Sequence, residues 1–504
     1  MEDEHQRYRR EQEEAVSNKS GSSASEVIFV IFPNICSLLL TLTLTTLLGP
    51  QTSRQSKIIL EFCFVILPSI LCCTVLHTKV IEVSLIFLII STANILSILA
   101  WRHRDAFKTQ STHSISKLAF ITNFRALTNI ITVICILAVD FTCFPRKFVK
   151  TETYGYSLMD TGVGLFMIAN ALVAPEARRI DSDLKISFFA GLTRTFKDCL
   201  PLLVLGMGRY LAVEFLGYQK HVTEYGVHWN FFLTLACVKL FTGLLSKNLN
   251  SRYSFVTGLW ILVMHEYGLS TQGLKEWVMS DEPRNNFISA NREGWVSIPG
   301  YVGLYLLGIA LGRLIHTTYQ NNDNELVFEI TPNCRIGYTK LMLLALKLYF
   351  VASVCYCVTY YCEQYFGISR RLANSGYCVW ILTLSSLLLT FLVVIEIFLE
   401  IITGCLKEKS RRKISKHLRR DDLNSKSNIS IVKTLEIFEA VNNNGLLFFI
   451  FANLLTGAIN MSIKTLRQEE PRAVMIMLAY MAVNFTFVLL RQKAKYLLHA
   501  KKNN

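Results

Sequence analysis

The sequence has little charge and few of the residues that interrupt regular structure. Only 18% of its 504 residues are charged, against 52% that are hydrophobic, and the mean hydropathy is +0.36. With 10 prolines and 25 glycines, the composition is not that of a disordered or fibrous chain. A soluble protein of this length needs a larger polar surface, so the scarcity of charge excludes that class and favours a membrane protein.

The sequence also lacks the short motifs of several enzyme classes. No G-x-S-x-G, P-loop or dinucleotide fingerprint occurs between a strand and a helix, and neither HExxH nor CxxC is present. The 14 cysteines lie mostly inside apolar runs, where a thiol behaves as a small hydrophobic group. We therefore expect no disulfide framework, no metal site and no cofactor. The serine hydrolase, ATPase and Rossmann classes are excluded.

Apolar runs long enough to cross a bilayer recur along the whole chain. A transmembrane helix needs about 20 apolar residues, and a window of about 19 residues predicts about thirteen such helices here. The predicted fold is an all-α polytopic membrane protein with these helices in one bundle. The predicted spans are 27–48, 58–77, 80–101, 118–139, 157–175, 196–216, 229–246, 253–270, 295–316, 341–362, 375–402, 445–463 and 473–490.

Three polar segments flank or interrupt this transmembrane domain, which covers residues 27–490. The first 26 residues lack the apolar core of a signal peptide, and we expect them to form a disordered polar tail. Residues 405–433 form a very basic loop, and residues 491–504 form a basic C-terminal tail.

Lys and Arg are distributed unequally between the two sets of loops. Residues 102–117, 176–185, 406–420 and the C-terminal tail are richer in basic residues than the other set. The positive-inside rule places these segments in the cytosol, and an odd number of spans then places the N-terminus in the lumen. The net charge of +15 is an orientation signal that also attracts anionic lipid, so we do not expect nucleic-acid binding.

The chain ends in a short basic motif. Lys501 and Lys502, followed by two asparagines, have the form of a cytosolic dilysine signal, which the coat-retrieval machinery reads as an address to the endoplasmic reticulum. A chance pair of lysines on a basic tail is the alternative. The motif favours a multi-pass protein of the endoplasmic reticulum membrane.

The predicted lumenal loops hold most of the polar clusters, and residues 136–164 form the strongest one. Asp140 ends an apolar helix, where desolvation would raise its pKa and make it a general base near neutrality. Lys150 follows a proline that breaks the helix, so it can fold back onto Asp140 and stabilise an oxyanion at a thioester carbonyl. Asp140 can instead cap the next element or pair with Arg146 or Lys147.

Further polar residues of the lumenal stretches are candidates for substrate binding. Basic groups hold lipid phosphates, amides bind sugar hydroxyls, and histidines act as acids or bases near neutral pH. Interfacial anchoring, aromatic-belt packing and simple ion pairing are the alternatives. The candidates are Arg146, Lys147, Glu152, Asp160, Arg209, His221, Glu224, His228, Trp229, Asn230, Asn291, Arg292, Glu293, Arg370, Arg371 and Asn374.

Several stretches together resemble one enzyme family. They are AVDFTCFPRKFVKTETYGYSLMDTGVG at 138–164, GYQKHVTEYGVHWNFF at 217–232, and NREG at 291–294 followed by GYVGLYLLG at 300–308. In this order and spacing they resemble the glycosylphosphatidylinositol (GPI) inositol-acyltransferase family, the phosphatidylinositol-glycan class W proteins. The resemblance spans nearly the whole chain.

The resemblance implies an acyltransferase of the endoplasmic reticulum. Such an enzyme moves a fatty acyl group, typically palmitoyl, from acyl-CoA to the inositol ring of glucosaminyl-phosphatidylinositol, an early step of GPI-anchor assembly. Asp140 would deprotonate the inositol hydroxyl, and Lys150 would support that acid or the developing oxyanion. The implied partners are acyl-CoA, as a co-substrate, the glycolipid acceptor and membrane lipid.

Two other classes remain open on the sequence alone. In a polytopic transporter or lipid flippase, Asp140, Asp160 and Lys197 would form an ion or substrate pathway, although no convincing inverted repeat is present. A noncatalytic scaffold would not need the lumenal polar clusters.

The predicted topology leaves open how the acyl donor reaches the site. Acyl-CoA is made in the cytosol, whereas the candidate site opens to the lumen. A channel between helices, with Arg178 and Arg179 attracting the CoA phosphates, is one solution, and a topology shifted by one helix is another.

Overall fold

The described part of the chain is mostly helical, and its helices fall into two compact units. Each of the thirteen predicted spans coincides with helix over most of its length. Nine helical segments, counted within the described ranges, are long and apolar enough to cross a membrane. The all-α polytopic prediction is confirmed. The computed structural model describes residues 4–49, 52–100, 118–178, 188–216, 222–248, 251–320, 326–331, 334–415 and 432–503.

Unit 1 comprises Met1–Ala15, Ala24–Phe148 and Leu388–Asn504. A π-helical turn, Phe62–Ile66, joins its third and fourth helices, and two 3₁₀ turns lie at Arg146–Phe148 and Thr465–Arg467. Numbered along the chain, the helices of unit 1 are α1 (Glu4–Val16), α2 (Ala24–Leu48), α3 (Arg54–Glu61), α4 (Leu67–Cys73), α5 (Val80–Ala100), α6 (Ala119–Ala138), the second part of α17 (Ser375–Ser415), α18 (Glu436–Asn443), α19 (Gly445–Ser462) and α20 (Glu470–Asn503).

Unit 2 comprises Val16–Ser23 and Val149–Leu387. It holds the first part of α17 and a short antiparallel hairpin of β1 (Leu326–Thr331) and β2 (Cys334–Tyr338), which the sequence did not predict. Its other helices are α7 (Leu158–Ala171), α8 (Pro175–Arg178), α9 (Phe188–Leu216), α10 (Val222–Tyr225), α11 (Phe231–Asn248), α12 (Ser254–Thr271), α13 (Leu274–Met279), α14 (Phe287–Ala290), α15 (Arg292–Gln320) and α16 (Lys340–Tyr365).

Residues 4–16 form the helix α1 rather than a disordered tail, so the prediction of disorder is wrong for these residues. Glu4 forms an ion pair with Lys464, and Glu11 lies 3.0 Å from Arg467. The Arg467 guanidinium also lies over the ring of Tyr8, whose side chain is buried. The acidic helix is therefore held by a basic turn more than 450 residues later in the chain, a partner that the local sequence does not reveal.

A proline explains the interruption of the second predicted span. Pro68 has no N–H, and its ring clashes with the carbonyl of Phe64 in a regular helix. Phe64 lies in the π-helical turn between α3 and α4, which relieves this clash. Directly after Pro68, the hydroxyl of Ser69 donates a hydrogen bond to Asn34 of α2, so two buried polar side chains satisfy each other inside the unit.

Glycines allow close helix contacts in unit 2. A Cβ added at Gly258 of α12 would lie 3.0 Å from the carbonyl oxygen of Gly303 on α15. A Cβ added at Gly308, further along α15, would lie 2.7 Å from that of Ala171 on α7. Small residues at such positions are typical of membrane helix packing, and here they let α15 approach two neighbours.

Candidate active site

A buried ion pair forms the centre of the candidate site in unit 2. Asp160 lies in the first turn of α7, and its Oδ1 accepts a hydrogen bond of 2.7 Å from Arg370 Nε. Thr151 donates to Oδ2 through its backbone N–H and its hydroxyl, at 3.0 and 2.8 Å. The hydroxyl of Tyr377 donates to the Asp160 carbonyl. Every oxygen of the carboxylate is thus paired, as a buried charge requires.

Lys150 forms a second ion pair close to the first. It pairs with Glu224 of α10, and the two side chains are 36% and 19% exposed. Glu224 also acts on Arg370: burial alone would lower the pKa of Arg370, but the negative charges of Asp160 and Glu224 outweigh burial and raise it. We call Lys150, Asp160, Glu224, Tyr225 and Arg370 the charge cluster.

Tyr225 connects the charge cluster electrostatically. Burial raises the pKa of its phenol, while Arg370 and Arg209 act in the opposite direction. The phenol therefore stays protonated and is available as a hydrogen-bond donor. Tyr225, Thr151 and Tyr377 were not among the predicted residues, because in an apolar sequence a phenol or hydroxyl is as easily explained by interfacial or helix packing.

His228 and its neighbours form an aromatic group. The His228 ring lies between Tyr210 and Phe287, with centroids 5.2 and 6.1 Å away. Trp229 packs on Trp295 at 4.8 Å. Within the described residues, Nδ1 of His228 is buried and has no hydrogen-bond partner. His221, the other predicted histidine, lies outside the described residues.

Two predicted amides act as helix caps. Oδ1 of Asn230 accepts hydrogen bonds from the N–H groups of Phe232 and Leu233 at the start of α11. Oδ1 of Asn374 accepts hydrogen bonds from the N–H groups of Ser369 and Tyr377, at 3.0 and 3.1 Å. Both amides thus satisfy N–H groups at helix starts that would otherwise be unpaired.

A second buried carboxylate organises the loop before α15. Glu293 is fully buried and accepts hydrogen bonds from Arg284, at 2.6 and 3.0 Å, and from Arg371 at 2.9 Å. Arg292 donates to the carbonyls of Ser280 and Glu282. These guanidinium groups are thus engaged by protein acceptors.

The remaining amide of this region joins two predicted stretches. Asn291 accepts a hydrogen bond of 2.8 Å from the backbone N–H of His228 through Oδ1, and it donates to the carbonyl of Phe287 through Nδ2. The backbone around His228 is therefore fixed by a residue of the α14 to α15 junction.

The predicted residues of unit 1 surround the end of α6. Asn460 Nδ2 donates a 2.8 Å hydrogen bond to Asp140 Oδ2. Arg146 donates to the carbonyls of Val139 and Phe141, at 2.8 and 3.1 Å, and so caps the helix end. Burial lowers the pKa of Arg146, with the charge of Asp140 opposing this effect.

Two further predicted residues have other partners. Lys147 forms an ion pair of 2.7 Å with Glu26 in unit 1. Glu152, in unit 2, is fixed through its backbone N–H, which donates to the Lys19 carbonyl. The predicted pairing of Asp140 with Lys150 stays a prediction, because these residues belong to different units.

The described residues of the candidate site form no cluster typical of a metal centre. Across the described ranges, no group of three or more His, Cys, Asp or Glu side chains comes together in a way that can hold a metal ion. The carboxylates of the site are instead paired with Lys, Arg or hydroxyl groups.

Known proteins match this chain along most of its length. The family model described as GWT1 matches residues 8–491. A "Glucosaminyl-phosphatidylinositol-acyltransferase PIGW" from Bos taurus is 32% identical over 494 residues, covering 93% of this chain and 95% of the relative. The protein of that name from Homo sapiens is 35% identical over 385 residues, covering 73% of this chain and 72% of the relative.

A fungal relative carries a different name. The "GPI-anchored wall transfer protein 1" of Candida albicans is 32% identical over 397 residues, which is 75% of either chain. The region matched by the family model, residues 8–491, includes unit 2, most of unit 1 and every residue of the charge cluster. This chain therefore belongs to the GWT1 family, and the family resemblance found in the sequence is confirmed.

Proposed function

We propose that this protein is an acyltransferase that moves a fatty acyl group from acyl-CoA to the inositol ring of glucosaminyl-phosphatidylinositol, in the assembly of GPI anchors. The observation that carries the proposal is the charge cluster, in a chain whose relatives are named for this activity. Ionisable residues within or beside membrane helices are costly and mark functional sites. We take palmitoyl-CoA as the donor on the family resemblance.

The proposed reaction is a direct transfer without an acyl-enzyme. The inositol O–H gives its proton to a carboxylate base as its oxygen attacks the thioester carbonyl. The tetrahedral oxyanion then collapses, the C–S bond breaks, and the CoA sulfur leaves as the thiol after taking up a proton. The products are an inositol ester and free CoA.

We assign the base to Asp140 and the support of the oxyanion to Lys150. Asp140 accepts a hydrogen bond from Asn460 and lies near the positive charge of Arg146, so its carboxylate has a defined position at the end of α6. Lys150 pairs with Glu224 and carries the positive charge that oxyanion stabilisation requires. The more exposed position of this pair, compared with Asp160, leaves it accessible to a substrate.

Acceptor recognition is proposed for polar groups near the charge cluster. Arg209 carries a positive charge that acts on Tyr225, and this charge is suited to the phosphodiester of the acceptor. The His228 group offers aromatic faces beside a buried ring nitrogen, a combination suited to a sugar ring.

We further propose that the protein lies in the endoplasmic reticulum membrane, with its C-terminus in the cytosol and its N-terminus in the lumen. The uneven distribution of basic loop residues supports this orientation. α20 continues through Lys501 and Lys502, which we propose as the retrieval signal. Residues 102–117 of the basic loop set lie outside the described residues.

The proposal is tested by supplying purified protein in detergent with labelled palmitoyl-CoA and glucosaminyl-phosphatidylinositol. We expect a labelled lipid whose mass spectrum places one acyl ester on the inositol ring. Phosphatidylinositol without the sugar, offered in parallel, reports whether the glucosamine is required. If no labelled lipid forms while reconstituted vesicles show flux of a lipid or solute, the chain is a transporter instead.

A further inference from the structure

A line of polar contacts runs along the facing sides of α6, α19 and α20 in unit 1. In its middle, the Tyr480 hydroxyl lies 3.3 Å from the carbonyl oxygen of Val133 and 3.2 Å from that of Ala452. Thr456 donates to the same hydroxyl at 3.2 Å. The phenol of Tyr480 thus connects all three helices at one buried point.

The same helices make polar contacts at both ends. At one end, Asn460 of α19 donates to Asp140, just after α6. At the other, Lys495 of α20 donates to Asn444, directly before α19, at 2.8 Å. From Asn444 to Asn460 is 16 residues, or about 24 Å of helix, most of the roughly 30 Å hydrocarbon core. We call this line of contacts the polar seam.

Three amide oxygens in the polar seam are buried without a hydrogen-bond partner among the described residues. They belong to Asn129, Asn484 and Gln492, whose side chains are 7%, 0% and 6% exposed. The amide nitrogens of Asn129 and Asn484 each donate to a carbonyl one turn earlier. Leaving a buried acceptor without a donor destabilises the folded protein. A ligand with N–H donors at these positions would pair these oxygens, because the described residues supply no donor to them.

The unpartnered amides lie toward one end of the seam. Asn129 precedes Val133 by one helical turn, and Asn484 follows Tyr480 by one turn. The contacts at the two ends make α6 parallel to α19 and antiparallel to α20, so Asn129 and Asn484 lie at the same level, and Gln492 lies about two turns further along α20, toward Lys495. Gly445 opens the first turn of α19 there, where an added Cβ would lie 3.6 Å from the Asn129 amide.

Cations border the seam at this end. Arg125, one turn before Asn129, is half-buried and donates to Asn442 of α18 at 2.7 Å. Lys495 is exposed and reaches Asn444. A ligand suited to these features has amide N–H groups on a thin extended arm and a phosphate at its far end.

We propose that the polar seam binds the pantetheine arm of the acyl-CoA donor, with its phosphates at Arg125 and Lys495 and its thioester toward Asp140. The pantetheine arm has two amide N–H groups and one secondary hydroxyl, three donors for the three unpartnered oxygens. The inference rests on the proposed acyl transfer, and it gives the donor a route through unit 1. On the proposed orientation, Arg125 and Lys495 face the cytosol, where acyl-CoA is made.

The first test measures equilibrium binding of two labelled donors, palmitoyl-CoA and S-palmitoyl-pantetheine, to the purified full-length protein. Asn129→Leu, Asn484→Leu and Gln492→Leu should each raise the Kd of both donors about fivefold to tenfold. Arg125→Gln and Lys495→Gln should raise it for palmitoyl-CoA alone, since the second donor has no phosphate. Asn453→Leu is the matched control, because its amide is half-buried on α19 and donates to the Phe449 carbonyl.

A second measurement needs no substitution in the seam. A palmitoyl-pantetheine carrying a photoreactive diazirine on its arm should label peptides containing residues 123–133 or 480–495 of the unmodified protein, and unlabelled palmitoyl-CoA should compete. Labelling elsewhere, or amide variants that bind both donors like Asn453→Leu, would overturn the inference and leave water as the partner of these oxygens. If the seam variants weaken donor binding but the wild-type protein transfers no acyl group, the proposed function is refuted and the proposed binding site is retained.

Discussion

Arg370 and Asp160 form an ion pair 210 residues apart in sequence, with 2.7 Å between Nε and Oδ1 and both side chains withdrawn from solvent. The pair joins the loop before α17 to the first turn of α7. It also brings together two polar stretches that the sequence predicted separately. Asp160 and Arg370 are therefore the buried, fixed part of the charge cluster, and Lys150 and Glu224 are its more accessible part.

Breaking this contact should destabilise the protein. Arg370→Met leaves the Asp160 carboxylate buried without its cation, which we expect to cost about 3–5 kcal/mol. Thermal unfolding in detergent measures the loss. The double variant Asp160→Asn with Arg370→Met should recover part of the stability, because no charge is then stranded. Equal losses of stability in the single and double variants would contradict this reason, because the stranded carboxylate would then add nothing to the cost.

Lys150 should matter for the chemical step and little for folding. Lys150→Met removes the cation from a partly exposed ion pair, so we expect kcat to fall by about 100-fold or more while the protein accumulates normally. Lys275→Met is the matched control, since Lys275 is half-buried in unit 2 and lies over the ring of Tyr154. Unchanged kcat in Lys150→Met would remove this residue from the mechanism.

Gly226 should not tolerate a side chain. Its φ is +110°, and an added Cβ would lie 2.5 Å from Cα of Asn291, the residue that holds the His228 backbone. We expect Gly226→Ala to lower the unfolding free energy by more than about 1 kcal/mol and to displace His228. Gly208→Ala, where an added Cβ meets nothing within 4 Å, should be neutral or slightly stabilising in α9. Equal effects of the two substitutions would contradict this expectation.

Docking of α1 should depend on pH. The hydrogen bond from Lys464 lowers the pKa of Glu4, so the pair stabilises the docked helix above the ordinary carboxylate pKa. This contribution is lost as the pH falls through the lowered value. Hydrogen exchange of residues 4–16, corrected for intrinsic rates, should therefore speed up in acid. In Lys464→Met, residues 4–16 should exchange faster at neutral pH, and their exchange should change less with acid. If this variant responds to acid as the wild type does, the pH dependence does not come from the pair of Glu4 and Lys464.

The helices were predictable because hydropathy is a local property. Each span is an apolar run of bilayer length, and the structure has helix at all thirteen places. The order of α1 was not predictable, because its charges are matched by Lys464 and Arg467 at the far end of the chain. Neither was the hairpin at 326–338, where no apolar run marks a span.

The candidate site was predictable in composition but not in arrangement. Asp160, Glu224 and Arg370 were all singled out from their positions at the ends of apolar runs, and the fold brings them together. The roles of Asn230 and Asn374 as caps depend on backbone N–H groups that only the fold positions. A sequence shows that a polar group lies beside a membrane span, but not which acceptor it meets.

The most direct test of the account compares wild type with Asp140→Asn in a single-turnover transfer of labelled palmitate to glucosaminyl-phosphatidylinositol. Asp281→Asn, at an exposed position, is the matched control. We expect inositol-acylated product from wild type and Asp281→Asn, and a rate lower by at least about 100-fold for an Asp140→Asn protein of normal thermal stability. Product at the wild-type rate from Asp140→Asn would contradict the assignment of the base, and no product from any of the three would contradict acyl transfer itself.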